Sequence, residues 1–237
     1  MENVKDIERI VKDGIVVDVA GQKYSAVDLK QVMDNRRIAH VNLNTLTGFV
    51  DFIMSKSEDT SNCLIFIEDY NQVCLITPID DATKRRDYYI VAKLRKENEF
   101  NFGNYMDHEE FIIKVKSLIK DSYQRDQLMA FVSSLTINNS IDTKDDGVTQ
   151  QVAIKRGMSG ALKDKGEAPS IISLAPFRTF REIDQPESDF LFRMKAFDQK
   201  IPVCALFEAD GGEWKNKAIA EIKKFLEDQK LGLTIIA

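Results

Sequence analysis

Metal-assisted phosphoryl transfer and strand cleavage need carboxylates that converge on a cation with a lysine close by. Two stretches hold the right residue types: Glu208, Asp210 and Glu213 with Lys215, and Asp80 and Asp81 with Lys84. With 38 Asp and Glu among 237 residues, acidic clusters of this size arise by chance, and neither stretch defines a site by composition. The first, VCALFEADGGEWK, sets two glycines at a strand-to-helix junction, where a helix N-terminus can bind phosphate. Three acids at that junction would repel a phosphate. The glycines therefore read as a tight turn and the acids as helix caps, with Asp210 and Glu213 spaced as a capping box.

Nucleophilic chemistry fares no better. GMSGA, residues 157 to 161, approaches the G-x-S-x-G elbow of serine hydrolases, but Ala161 stands where the second glycine is required. There are two histidines, His40 in a strand-like run and His108 at a helix start, and neither has a triad or ligand partner near it in sequence. The three cysteines form no C-x-x-C pair. Cys63 and Cys74 flank a hairpin turning at Tyr70-Asn71, which sets Asp69 opposite Gln72 and Ile67 opposite Cys74 and leaves Cys63 several residues away. A disulfide needs Cα atoms within about 7 Å, so the thiols read as small buried hydrophobes in a reducing cytoplasm. The sequence assigns no catalytic residue, no metal and no cofactor.

Basic residues offer binding chemistry instead. Lys155, Arg156, Lys163 and Lys165 cluster on a glycine-containing stretch, and Lys84, Arg85 and Arg86 form a second group. Such loops clamp phosphates through point charges and free backbone N–H groups. Arg178 and Arg181 interleave with Phe177 and Phe180, a pattern that permits stacking on a base. A solvated loop and core-packed phenylalanines account for the same residues without a ligand. The candidate ligand-binding set is Lys155, Arg156, Lys163, Lys165, Arg178 and Arg181.

The net charge of −5 argues against a protein that coats nucleic acid. Hydrophobic content of 43% with 30% charged residues is that of a globular chain, not a disordered one. No apolar run approaches the roughly 18 residues of a membrane span, and MENVKDIERI is too acidic for a signal peptide.

The elements that must position these residues are mixed. Val4, Ile7, Ile10 and Val11 predict a short amphipathic helix over 4–12, and GIVVDVAGQKYSA predicts a hairpin turning at Ala20-Gly21-Gln22. A helix from about Thr45 to Lys56 carries Leu46, Phe49, Val50, Ile53 and Met54 on one stripe, capped by Asn44 or Thr45. The Cys63–Pro78 hairpin is apolar on both faces, with Cys63, Ile65, Ile67, Cys74 and Ile76 on one side and Leu64, Phe66, Val73 and Leu75 on the other. Such a hairpin belongs inside a fold or at a subunit contact. Residues 87–94 add a strand. Asp107 to Glu110 reads as a capping box before a helix bearing Phe111, Ile112, Val115, Leu118 and Ile119, and Gln124 to Leu135 as a second helix forming a helical hairpin with it. Past Asn138 the pattern turns to strands: a hairpin or bulged strand around Gly147, a mobile loop at GMSGALKDKGEAP, then the runs SIISLAPFRTFREID, SDFLFRMK and IPVCALFE. A helix from Asp210 to near Lys230, stopped by Gly232, precedes the strand LTIIA. The expected class is α+β: antiparallel sheets, a helical hairpin in the middle, and a C-terminal sheet covered by a long helix. The division is an N-terminal α+β part over 1–137 and a β-sheet plus helix over 138–237, packed as one continuous unit.

The runs DDGVTQQVAIKRG, LAPFRTFREIDQPESDFLFRM and CALFEADGGEWK, with TLTGFVDFI and the hairpin after it, resemble the YfdQ-like family of phage and prophage early-region proteins. The resemblance spans about residues 35 to 230. No activity, catalytic residue or cofactor is assigned to that family, so it implies context: early infection, near functions of nucleic-acid metabolism and host takeover. Residues and resemblance together give a non-enzymatic, cytoplasmic accessory protein and homo-oligomer. Its partner is a nucleic acid, a nucleotide, or a host or phage protein, with counter-defence as one version. The alternative is a metal-dependent enzyme acting on nucleic acid or nucleotides. Reversing the charge at Lys155, Arg156, Lys163 and Lys165 together is expected to weaken binding of an anionic ligand, most at low salt. Unchanged affinity in a salt titration would remove that loop from the site.

Overall fold

The computed structural model describes residues 16–19, 22–25, 39–81, 84–95, 99–134, 140–145, 150–155, 170–195 and 202–237. They fall in two units, Met1–Ala39 and His40–Ala237. In the first, strands β1 (Val16–Val19) and β2 (Gln22–Ser25) pair antiparallel. Val19 pairs with Gln22, so Gln22 opens the second strand and is not part of the turn. The helix expected over 4–12 lies outside the described residues.

The second unit is built on two sheets. The larger comprises β3 (Val41–Leu43), β4 (Leu64–Asp69), β5 (Gln72–Ile76), β6 (Tyr88–Lys93) and β12 (Thr234–Ile236), in the order β12-β4-β5-β6-β3. Its middle is an antiparallel meander, whereas β12 on β4 and β3 on β6 are parallel. The smaller is antiparallel, β11 (Val203–Glu208), β10 (Ser188–Lys195) and β9 (Ile171–Leu174) in that order. Strands β7 (Ser140–Asp145) and β8 (Gln150–Lys155) form a separate antiparallel pair. Four helices are described: α1 (Leu46–Ser55), α2 (His108–Leu118), α3 (Tyr123–Ser133) and α4 (Glu213–Asp228). The α+β class, the central helical hairpin and the long helix after the strands are as expected, but the larger sheet is mixed and not antiparallel, and the long helix packs against β4 and β12 of that sheet and not on β9, β10 and β11. No helix among the described residues is long and apolar enough to cross a membrane.

The register of the β4–β5 hairpin differs from the sequence expectation. Asp69 does face Gln72 across the Tyr70-Asn71 turn, but a bulge between Ile67 and Asp69 sets Ile67 opposite Val73 and Phe66 opposite Cys74. One extra residue on one strand flips every later side chain of its partner to the other face. Ile65, Ile67, Val73 and Leu75 therefore share the helix-covered face, and Leu64, Phe66, Cys74 and Ile76 the opposite one. The slip suits the core, because it gathers the fully buried Val73 and Leu75 with Ile65 under the helices.

Thr45 caps α1 by accepting the Gly48 N–H at 3.1 Å, and the helix ends at Lys56 in the left-handed region. Leu46, Phe49, Val50 and Ile53 face the sheet; Met54, on the flank of that stripe, is half exposed. Ile222 and Leu226 of α4 join the same core, as do Phe180 and Ile183 from the β9–β10 connection. The second core packs Phe111, Val115, Leu128 and Val132 of the helical hairpin against Phe190, Phe192 and Leu206 of the smaller sheet. Each core thus combines residues from before and after the 138–147 stretch.

The corner between α2 and α3 is pinned by Arg125, whose side chain is almost wholly buried. It donates to the Ile119 carbonyl and pairs with Asp121 and Asp126. Asp107 and Ser122 cap the two helices, and His108 Nε2 donates to the Val132 carbonyl at 2.8 Å. In the C-terminal part, the residue before α4 is Gly212, a left-handed N-cap that offers no side-chain hydrogen bond. Asp210 instead accepts the Gly212 N–H at 3.1 Å inside the turn, so the expected Asp210–Glu213 capping box does not form. Gly211 and Gly212 both hold positive φ, which places Asp210 outside helical register. Lys230, not Gly232, is the first left-handed residue after α4.

Phe180, fully buried in the first core, is the anchor of the β9–β10 connection. Phe180→Ala is expected to cost about 3–5 kcal/mol of unfolding free energy, measured by denaturant titration. A loss below about 1 kcal/mol would mean that the site collapses around the gap.

Candidate functional site

The connection between β9 and β10, residues 175–187, is folded around one buried amide. Gln185 Oε1 accepts the N–H groups of Arg178 and Thr179 at 3.1 and 3.3 Å. Its Nε2 donates to the carbonyls of Phe180 and Ile183 at 2.8 and 3.3 Å. The Thr179 hydroxyl donates to the carbonyl of Tyr70 in the β4–β5 turn, tying the loop to the larger sheet. On the other flank, the Phe177 N–H donates to the Leu118 carbonyl at the end of α2. A buried loop must satisfy its backbone internally, and these bonds do so.

That scaffold drives Arg178 into an aromatic cage. Its guanidinium carbon lies 3.9 Å from the Trp214 ring centroid and 5.7 Å from those of Phe102 and Phe190. Nη1 donates to Glu208 Oε1 and Nη2 to Ser188 Oγ. The side chain is 11% exposed. Burial brings its pKa down to about 10 against the opposing charges of Glu208 and Asp210, so it stays a cation at neutral pH. Burial pushes the Asp210 carboxyl up, but bonds from Ser188, Gly212 and Trp214 and the charge of Arg178 outweigh this and hold it below the ordinary range.

Beside the cage opens a cavity of about 500 Å³. Tyr70 and Asn71 of the β4–β5 turn, Leu94 and Arg95 after β6, and Glu99, Phe100 and Phe102 form one side. Pro176 to Thr179, Arg181, Glu208 and Trp214 form the other. Trp214 meets Tyr70 edge-on at 4.7 Å, and the Arg181 guanidinium stacks 4.0 Å from the Phe177 centroid. Three arginines and two glutamates line one aromatic-walled space. Burial, then the charges of Asp69 and Glu99, raise the Tyr70 hydroxyl above its ordinary range, so it is a neutral donor at neutral pH.

Of the residues singled out from the sequence, Arg178 and Arg181 meet at this cavity. Only the backbone of Lys155 is described, and Arg156, Lys163, Lys165 and Ser159 lie outside the described residues. The acids near the start of α4 take separate partners. Glu208 pairs with Arg178, Asp210 closes the turn, and Glu213 lies 3.6 Å from Lys217. Asp81 pairs with Lys84 at 3.2 Å on an exposed turn. No cluster of three metal-ligating side chains occurs among the described residues. The three cysteines are free and buried, and burial pushes the Cys74 and Cys204 thiols up to about 11 and 12.

Sequence reasoning missed Tyr70, Arg95, Glu99 and the site role of Trp214. They come from three separate segments, and only two of the residues carry a local signal: Tyr70 as an aromatic in a turn, and Trp214 as the single tryptophan, on the first turn of a helix behind ADGG. Comparison of the chain with models of known families, with curated proteins and with solved structures returns no match.

Arg178→Lys keeps the charge but loses the planar fork that serves Glu208 and Ser188 together, and the stacking on Trp214. Unfolding free energy is expected to fall by about 2 kcal/mol, read by denaturation followed at Trp214. An unchanged midpoint would show that these pairings contribute nothing net.

Proposed function

We propose that this chain is a recognition protein whose cavity takes a nucleotide, either free or at the end of a nucleic-acid strand, and breaks no bond in it. The observation that carries the reading is the joint presence of arginines, carboxylates and aromatic rings around one partly open cavity of about 500 Å³. A nucleotide is the ligand class that answers all three: phosphate for guanidinium, base edge for carboxylate and amide, flat ring for stacking. The volume lies within the range of about 300–1,000 Å³ typical of small-molecule sites, too small for a duplex. The net charge of −5 also disfavours long contacts along a phosphate backbone.

The commitments of the acids favour binding over metal catalysis. Glu208 and Asp210 would have to abandon Arg178 and the Gly212 turn to converge on a cation. In the phage setting that the sequence resemblance implies, such a protein acts in the host cytoplasm early in infection. Sequestering a nucleotide signal of host defence is one way for a binder without turnover to act there.

Trp214 is the sole tryptophan and lines the cavity, so its emission reports occupancy. Titration with nucleoside monophosphates is expected to change that emission, with affinity falling as salt rises and the nucleotide recovered intact. Combined Arg95→Glu and Arg181→Glu substitution is expected to weaken binding about tenfold or more. No response at about 1 mM ligand would remove the nucleotide reading. Turnover that stops in Glu208→Ala would replace it with an enzyme.

A further inference from the structure

The two acids of the cavity differ in how they are held. Glu99 is exposed on the segment after β6, with no anchoring partner among the described residues. Glu208 has one oxygen fixed by Arg178 Nη1, while its side chain is 39% exposed and lines the cavity. Arg178 is itself locked by Trp214, Phe102, Phe190 and Ser188. The Glu208 carboxylate is therefore oriented before any ligand arrives, and little ordering cost remains to be met on binding. A carboxylate is an acceptor only, with about four lone-pair directions, so accepting from Arg178 leaves it able to accept two more N–H groups.

We infer that Glu208 reads the base of the bound nucleotide and selects guanine. This rests on the nucleotide reading above. Guanine presents two adjacent donors, N1–H and the 2-amino group, on its pairing edge, matching the two oxygens of a carboxylate. Adenine and cytosine place one amino donor beside a ring acceptor, and uracil places one donor between two carbonyls. Each sets at least one lone pair against the carboxylate, which costs affinity because two acceptors face each other. A cationic side chain from a protein partner would also satisfy Glu208. It would, however, enter a cavity where Arg95, Arg178 and Arg181 outnumber the two glutamates. The positive excess favours an anion whose base, not whose charge, meets Glu208.

The test follows Trp214 emission during titration with guanosine, inosine, adenosine, cytidine and uridine monophosphates. Inosine differs from guanosine only in lacking the 2-amino group. Guanosine monophosphate is expected to bind about tenfold or more tightly than inosine monophosphate. In Glu208→Gln, where an amide N–H replaces one acceptor, that gap is expected to close. The comparison on the unaltered protein stands alone if loss of the Arg178 partner unfolds the variant. Equal binding of all five nucleotides, or a guanine preference that survives in folded Glu208→Gln, overturns the inference while leaving a nucleotide site in place. No response to any of the five overturns the nucleotide reading and the inference with it.

Discussion

A guanidinium removed from water must recover its hydration from the protein, and the arrangement at Arg178 supplies this in three ways while leaving Nε without a hydrogen-bond partner among the described residues. Glu208 supplies opposite charge, Ser188 an oxygen, and Trp214 with two phenylalanines the negative faces of their rings. Ser188 and Phe190 share β10, and the other groups come from three further pieces of chain. Trp214 opens a helix, Glu208 ends a strand, Ser188 begins another, and Phe102 lies on the segment before α2. Keeping one cation buried therefore fixes the relative placement of four pieces of chain. The cavity is the space left beside that fixture.

The Gln185 amide plays the corresponding part for the backbone. Its oxygen and nitrogen together serve four main-chain groups of one loop. A loop so satisfied has few conformations open to it, so Arg178 and Phe180 leave it in opposed directions. One goes to the cage and the other to the core under α1 and α4. The Thr179 bond to Tyr70 then couples this loop to the sheet that supplies the other side of the cavity. Recognition and stability meet in consecutive residues.

Much of the fold was legible because helical periodicity and caps are local. The Asp107 cap and the buried faces of α1, α2 and α4 follow from spacing alone, whereas spacing left Asn44 and Thr45 equal as caps of α1 and the structure selects Thr45. The β4–β5 register did not, since the bulge after Ile67 answers to which face the helices cover, a matter of tertiary packing. Asp210 and Glu213 have capping-box spacing, yet two positive-φ glycines between them spend the carboxylate on a turn. The site was half legible. Arg178 and Arg181 stood out by alternation with phenylalanine, but nothing in the string joins them to Tyr70, Arg95 or Glu99. Charged residues become a site only when distant strands deliver them to one place.

The parallel pairing of β12 with β4 has a consequence for how the protein comes into being. Thr234 lies beside Leu64, so the flank of β4 stays open until residues 234–236 have been synthesised. During synthesis the apolar meander of β4, β5 and β6 waits without its outermost strand and without α4 above it. Closure of such distant contacts is slow, and an unfinished sheet edge invites strand addition from other chains. The time for which that edge stands open during synthesis is thus set by translation speed and not by the intrinsic folding rate.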